Sequence, residues 1–223
     1  MTDRVAQPPM AITMGDASGV GPEIVLRRAA EGGLGRPGDV VVYGDAAILR
    51  RGAELLGVDA EVVRALNIVD LGQLHGDDLR PGVLDARAGA AARSYVEAAT
   101  RDAIAGTVAG VVTMPMNKEA TQLTDPRFVG HTEMIAELCG APRITMMLTN
   151  GPLAVTHVST HCSLREAIDR VRADRIVDVI ALTHDALRRF LPAPRIAVCG
   201  LNPHAGESGH LGDEELRVIG PAI

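Results

Sequence analysis

Seven histidines and a single lysine are the side chains here best suited to metal or proton chemistry, and they fall in short polar stretches. His161 lies in "STHCS" and His204 in "LNPHAGESGH", each just past an apolar run. A neutral imidazole is the commonest protein ligand for zinc and similar ions. Two histidines at adjacent strand ends would supply two of three metal ligands and leave a position open for substrate. No short-range motif joins them, so loop histidines bonded to backbone are the alternative. His157 shares parity with His161 on an extended segment, which suggests a packed or supporting role. His210 is close enough to His204 to stay in consideration, whereas His75 and His184 read as surface or loop residues. Alternation points Cys162 away from His161, as a small buried apolar residue.

"GHTE" (130–133) starts a helix with a glycine, His131 and the Thr132 hydroxyl. Free backbone N–H groups and the positive end of the helix dipole make a natural anion site. Simple N-capping by Thr132 is the competing reading. "MPMNKE" (114–119) ends a strand with Asn117 and Lys118. Lys118 would meet an anionic substrate or move a proton there; otherwise it is a solvated surface lysine. "GDASGVGPEI" (15–24) is a glycine-rich turn into a helix, without the G-x-G-x-x-G dinucleotide fingerprint. Gly19 and Gly21 would supply its permissive backbone angles.

The elements that carry these stretches alternate. Strands are expected at 11–16, 39–45, 110–115, 143–150, 153–160 and 195–201, and 58–90 reads as irregular. Helices are expected after Pro22, over 46–57, over 91–106, from about His131 and again near the end. Over 164–191 one or two helices follow a capping box of Ser163 and Glu166. Such alternation predicts an α/β fold with a mostly parallel sheet. The polar residues at 15, 114, 159 and 201 follow the carboxyl ends of strands. That edge binds ligands in open α/β sheets.

Aromatic residues make up only 2% of the chain, so the core must be aliphatic. A net charge of −6 argues against a nucleic-acid partner, which needs clustered Lys and Arg. Three cysteines (Cys139, Cys162, Cys199) without a C-x-x-C pair fit free thiols in a reducing compartment. The opening residues have no signal-peptide core, and no run is apolar enough for a membrane span. A cytoplasmic location is expected.

Taken in order and spacing, "GDASGVGPEI", "MPMNKEA", "GHTEM", "STHCSLREA" and "CGLNPHAGESGHLGDEE" resemble the 4-hydroxythreonine-4-phosphate dehydrogenase family of pyridoxal phosphate biosynthesis. The opening motif also resembles the isocitrate and isopropylmalate dehydrogenases, whose fold that family shares in outline. The resemblance implies two α/β/α domains with mostly parallel sheets, an interdomain cleft and a homodimer. Domain boundaries are expected at 1–125 and 126–223, the second domain carrying the dimer contact. The resemblance implies His131 and Thr132 as substrate contacts, and His161 and His204 as two of three ligands to zinc, magnesium or cobalt. Lys118 is the candidate catalytic residue, and NAD or NADP the oxidant.

The implied reaction oxidises 4-phosphooxy-L-threonine to a 3-oxo acid, which decarboxylates to 3-amino-2-oxopropyl phosphate. Relatives acting on D-threonate or D-erythronate 4-phosphate, or on aromatic dihydrodiols, are alternatives, as are a non-catalytic phosphate-binding module and a metallohydrolase. The family's third metal histidine lies in a His-Asp-Gln-Gly stretch that does not occur here. The expectation is therefore a chain lacking the family's C-terminal third, with its first domain left incomplete and without turnover on its own.

Overall fold

A computed structural model describes residues 7–223. The chain divides into two compact units after Ala141. This is later than the expected 125/126 boundary, and packing gives the reason. Helix α6 (His131–Leu138) belongs to the first unit because its Met134 packs with Phe128 against Val96 of α4 (Ala86–Ile104).

In the first unit, β1 (Met10–Thr13), β2 (Val40–Gly44), β3 (Ile68–Asp70) and β4 (Gly110–Thr113) form one parallel sheet in the order β3-β2-β1-β4. The expected α/β class and parallel sheet are found. The chain steps outward from β1 through α1 (Gly21–Ala30) to β2. It continues through α2 (Ala46–Leu56) and α3 (Ala60–Ala65) to β3. Helix α4 then returns it to the opposite side of β1, where β4 pairs in register: Met10 with Gly110, Thr13 with Thr113. The direction of strand order reverses between β1 and β4, which is the switch point where α/β sheets bind ligands. Residues 58–90 are more regular than expected. The turns of α3 and the residues of β3 are too few for periodicity to declare them.

Ala11, Met14, Val42, Leu26 and Leu49 are buried between the sheet and its helices. Both tyrosines join this aliphatic core as its largest fully buried side chains. Tyr43 donates to Asp102 (2.5 Å) and Tyr95 to Asp45 (2.6 Å). Burial pushes both phenols above their usual range, helped by these carboxylates, so they stay protonated donors. Asp45 also accepts the Gln73 and Leu74 N–H groups at 3.0 and 2.8 Å, which satisfies a carboxylate with no solvent exposure.

The second unit holds β5 (Met147–Asn150) and β6 (Leu153–Thr156), an antiparallel hairpin turned by Gly151 (φ 55°). Ser163 accepts the Glu166 N–H (3.2 Å) and opens α7 (Leu164–Asp169). A break at 170–172 separates it from α8 (Ala173–Leu187), so the second of the two helical expectations is found. The expected strand at 195–201 is absent among the described residues. Its alternation survives as half-buried Ile196 and Val198, but no neighbouring strand supplies the ladder that would define it. The chain ends in a π-helical turn (Glu215–Ile219) and α9 (Gly220–Ala222).

Helix α5 (Lys118–Gln122) is held against α4 at Gly89, where a β-carbon would lie 2.4 Å from the Ala120 carbonyl carbon. Gly89→Ala therefore forces backbone apart and is expected to destabilise the first unit by about 1–3 kcal/mol. Denaturant unfolding of wild type and variant checks this.

Candidate functional site

In the first unit the site grows from the turns after β1 and β4. Their pairing runs past the strands: Met114 N–H donates to the Thr13 carbonyl (3.3 Å) and Asp16 N–H to the Pro115 carbonyl (3.0 Å). This approach requires glycine at 15, where φ is 77° and a β-carbon would lie 2.5 Å from the Pro115 oxygen. Gly21 is also needed, because a β-carbon there would meet the Met14 carbonyl oxygen at 2.2 Å. The permissive angle thus belongs to Gly15 rather than to Gly19 or Gly21, whose φ values are not positive.

Asp16 is buried, and its carboxylate accepts the Ser18 N–H at 2.8 Å. Burial pushes its pKa up, partly offset by hydrogen bonds from the Ser18 and Asn117 backbone. The Asn117 side chain caps α5 by accepting the Ala120 N–H (3.0 Å). Lys118, next to it, is exposed and forms no ion pair among the described residues. It lies at the ligand edge of the sheet but is open to solvent.

His131 stands at the first position of α6. Burial lowers its basicity, only partly countered by a hydrogen bond to the Met114 backbone, so the imidazole is neutral at neutral pH. Its Nε2 is buried with no protein partner among the described residues. The Ser18 hydroxyl, also buried in the switch-point turn, has none either. Gly130 occupies the cap of α6 in extended conformation, and no side chain caps the helix. Thr132 sits exposed beyond it rather than capping it. The open helix start therefore presents N–H donors, a hydroxyl and an imidazole nitrogen without a protein partner among the described residues.

In the second unit, His161 and His204 are exposed and make no protein hydrogen bond among the described residues. Both hold left-handed backbone, with φ of 53° and 52°. Imidazoles suit a borderline divalent ion such as zinc. No group of three or more His, Cys, Asp or Glu able to hold a metal is assembled among the described residues. His157 is half-buried and closes the hairpin end, its Nδ1 3.4 Å from the Met146 carbonyl oxygen. Cys162 is half-buried rather than buried, and His75, His184 and His210 are exposed as expected.

Left-handed backbone continues from His204 through Ala205, Gly206, Glu207 and Ser208. Each non-glycine residue there costs roughly 1–2 kcal/mol, so the segment must be held from outside. Glu215 holds the corner that leads into it. Its Oε1 accepts the Leu201 and Asn202 N–H groups, both at 2.7 Å, and its Oε2 the Asn202 Nδ2 at 2.9 Å. Asn202 also donates to Glu214 at 2.6 Å. The space is tight, since a β-carbon on Gly206 would sit 2.6 Å from the Gly212 carbonyl oxygen. Sequence reasoning passed over Glu215; the "EE" following a glycine-rich turn was the available signal. It also passed over Arg170 and Arg175, which reach the Thr160 and Val158 carbonyls at 3.4 and 3.0 Å and border a groove of about 440 Å³ beside His161.

These hydrogen bonds lower Glu215 from its usual 4.5 to about 2. A depressed carboxylate stabilises the fold above its unfolded value and loses that contribution as pH falls through the folded one. The unfolding-midpoint difference between wild type and Glu215→Gln should thus persist at pH 6. It should shrink between 4.5 and about 2 in a pH series of thermal melts.

Residues 37–223 match the family model described as "Pyridoxal phosphate biosynthetic protein PdxA". A putative D-threonate 4-phosphate dehydrogenase of Cutibacterium acnes is 40% identical over 97% of this chain and 66% of its own length. A 4-hydroxythreonine-4-phosphate dehydrogenase of Beijerinckia indica is 38% identical over 96% of this chain and 67% of its own. The crystal structure of 4-hydroxythreonine-4-phosphate dehydrogenase from Klebsiella pneumoniae superposes with a TM-score of 0.88 at 40% identity. It covers 97% of this chain and 71% of its own. The chain spans about two thirds of the length of these relatives.

Proposed function

This chain belongs to the family of the pyridoxal phosphate biosynthetic protein PdxA, and on that premise we propose that it serves a nicotinamide-dependent dehydrogenase of a phosphorylated hydroxy acid. The first reading of the substrate is 4-phosphooxy-L-threonine, oxidised at the hydroxyl-bearing carbon to a 3-oxo acid. That acid loses carbon dioxide readily, since its carboxylate is β to the new carbonyl, and yields 3-amino-2-oxopropyl phosphate. The 40% identity to a relative named for D-threonate 4-phosphate supports a second reading, with a hydroxyl in place of the substrate amine.

The observation that carries the proposal is the uncapped start of α6, with Thr132 exposed and His131 Nε2 buried without a partner among the described residues. Helix N–H groups and Thr132 hold the phosphate by charge-assisted hydrogen bonds. Neutral His131, turned toward the Met114 backbone, keeps an unpaired ring nitrogen to accept a substrate hydroxyl. Buried Asp16 and its turn shape the floor, while Lys118 at the edge offers positive charge to the incoming anion. His161 and His204 would be ligands to a zinc, magnesium or cobalt ion, whose chemistry is to lower the pKa of a bound hydroxyl. NAD or NADP would supply the hydride acceptor. A homodimer and a cytoplasmic location belong to the same proposal, the latter supported by three unpaired cysteines. No helix among the described residues is long and apolar enough to cross a membrane.

Thr132→Val should weaken binding of a phosphorylated substrate by about 1.5–3 kcal/mol, the range of hydrogen bonds to charged groups. Binding of its dephosphorylated analogue should change little. Calorimetric titration of 4-phosphooxy-threonine, D-threonate 4-phosphate and their dephosphorylated forms measures both effects and ranks the two substrates. Equal weakening of all four ligands would remove Thr132 from the phosphate site.

A further inference from the structure

We infer that Glu215 is a positioning residue for His204, an assignment that rests on reading His204 as a metal ligand. Among the described residues Glu215 makes no hydrogen bond to the imidazole. It fixes the backbone from which the imidazole departs. The Leu201 and Asn202 N–H groups converge on one carboxylate oxygen and the Asn202 side chain on the other. Three donors on two oxygens fix the orientation of the corner as well as its distance. Between this corner and His204 stands only Pro203, whose ring locks its own φ. On the far side the Ala205 N–H closes back on the Asn202 carbonyl at 3.1 Å. The corner thus passes its orientation to His204 through few soft torsions.

The environment makes this dependence specific. His204 holds φ 52° and ψ 30°, a conformation that a free chain leaves. The clamp comes from a separate element, the π-helical turn, so it ties the corner to a fixed support. Gly212 lets the support approach, because a β-carbon there would sit 2.5 Å from the Asn202 Nδ2. A carboxamide at 215 retains one acceptor oxygen but turns an NH₂ group toward a donor, so it should hold the corner partially. Alanine should release it.

The test uses the full chain and cobalt(II) alone. Wild type, Glu215→Ala, Glu215→Gln and His204→Ala are titrated with cobalt while the visible absorption of the bound ion is followed. Hydrogen exchange of the Leu201 and Asn202 amides is measured in parallel. Cobalt affinity should fall at least tenfold in Glu215→Ala and by a smaller factor in Glu215→Gln, with an altered spectrum. Exchange of the two amides should accelerate in the same order. His204→Ala should lose affinity while leaving that exchange slow. Wild-type affinity and spectrum in Glu215→Gln with fast-exchanging amides would overturn the inference, and this variant decides if Glu215→Ala fails to fold. If His204→Ala binds cobalt as tightly as wild type, the reading of His204 as a ligand fails instead, and the assignment of Glu215 falls with it.

Discussion

The first unit depends on the parallel pairing of β1 with β4. It joins segments separated by the whole of the intervening β-α sequence, and it continues past the strands into the turns at Gly15 and Pro115. Because these turns run edge to edge, Asp16 reaches the Asn117 backbone and Met114 reaches His131. A side chain at position 15 would separate them. The absence of a β-carbon at one position is therefore a condition for the ligand edge, and the buried aliphatic layer beneath maintains the pairing.

Polar groups in this unit are arranged by burial. Asp45 and Asp102 take the hydroxyls of Tyr95 and Tyr43, so the two large buried side chains are tethered at their polar ends. A core poor in aromatic residues gains fixed points by this means, since a buried phenol left unpaired would cost about 1–3 kcal/mol. His131 Nε2 and the hydroxyls of Ser18 and Thr100 are exceptions to this rule of satisfaction. Ser18 lies in the turn at the switch point and His131 opens α6, whereas Thr100 is inside α4.

The second unit keeps His161 and His204 outside its α-helices and strands and holds the backbone before them with charge. Glu215 gathers the 201–202 corner, while Arg170 and Arg175 reach the carbonyls that precede His161. Left-handed conformations at both histidines are unfavourable alone. They persist because carboxylate and guanidinium partners on neighbouring elements supply hydrogen bonds that a relaxed loop would lose.

Much of this was legible in the order of residues. Apolar runs broken by Gly15-Asp16, Gly44-Asp45 and Pro115 announce strands that end at a ligand edge, and Ser163 with Glu166 announces a helix start; both are local signals, set by backbone chemistry within a few residues. The motifs around His131, His161 and His204 likewise named the positions to inspect. The strand expected at 195–201 was not legible, because alternation records a half-buried surface and not whether a neighbour pairs with it. The burial of Tyr43 and Tyr95, the domain boundary moved by Met134 against Val96, and the clamp of Glu215 on Asn202 were equally hidden. Sequence determined which residues carry donors, acceptors and turns. Only the tertiary structure decided which donor meets which acceptor, because those meetings join residues far apart in the chain and depend on packing that no local pattern encodes.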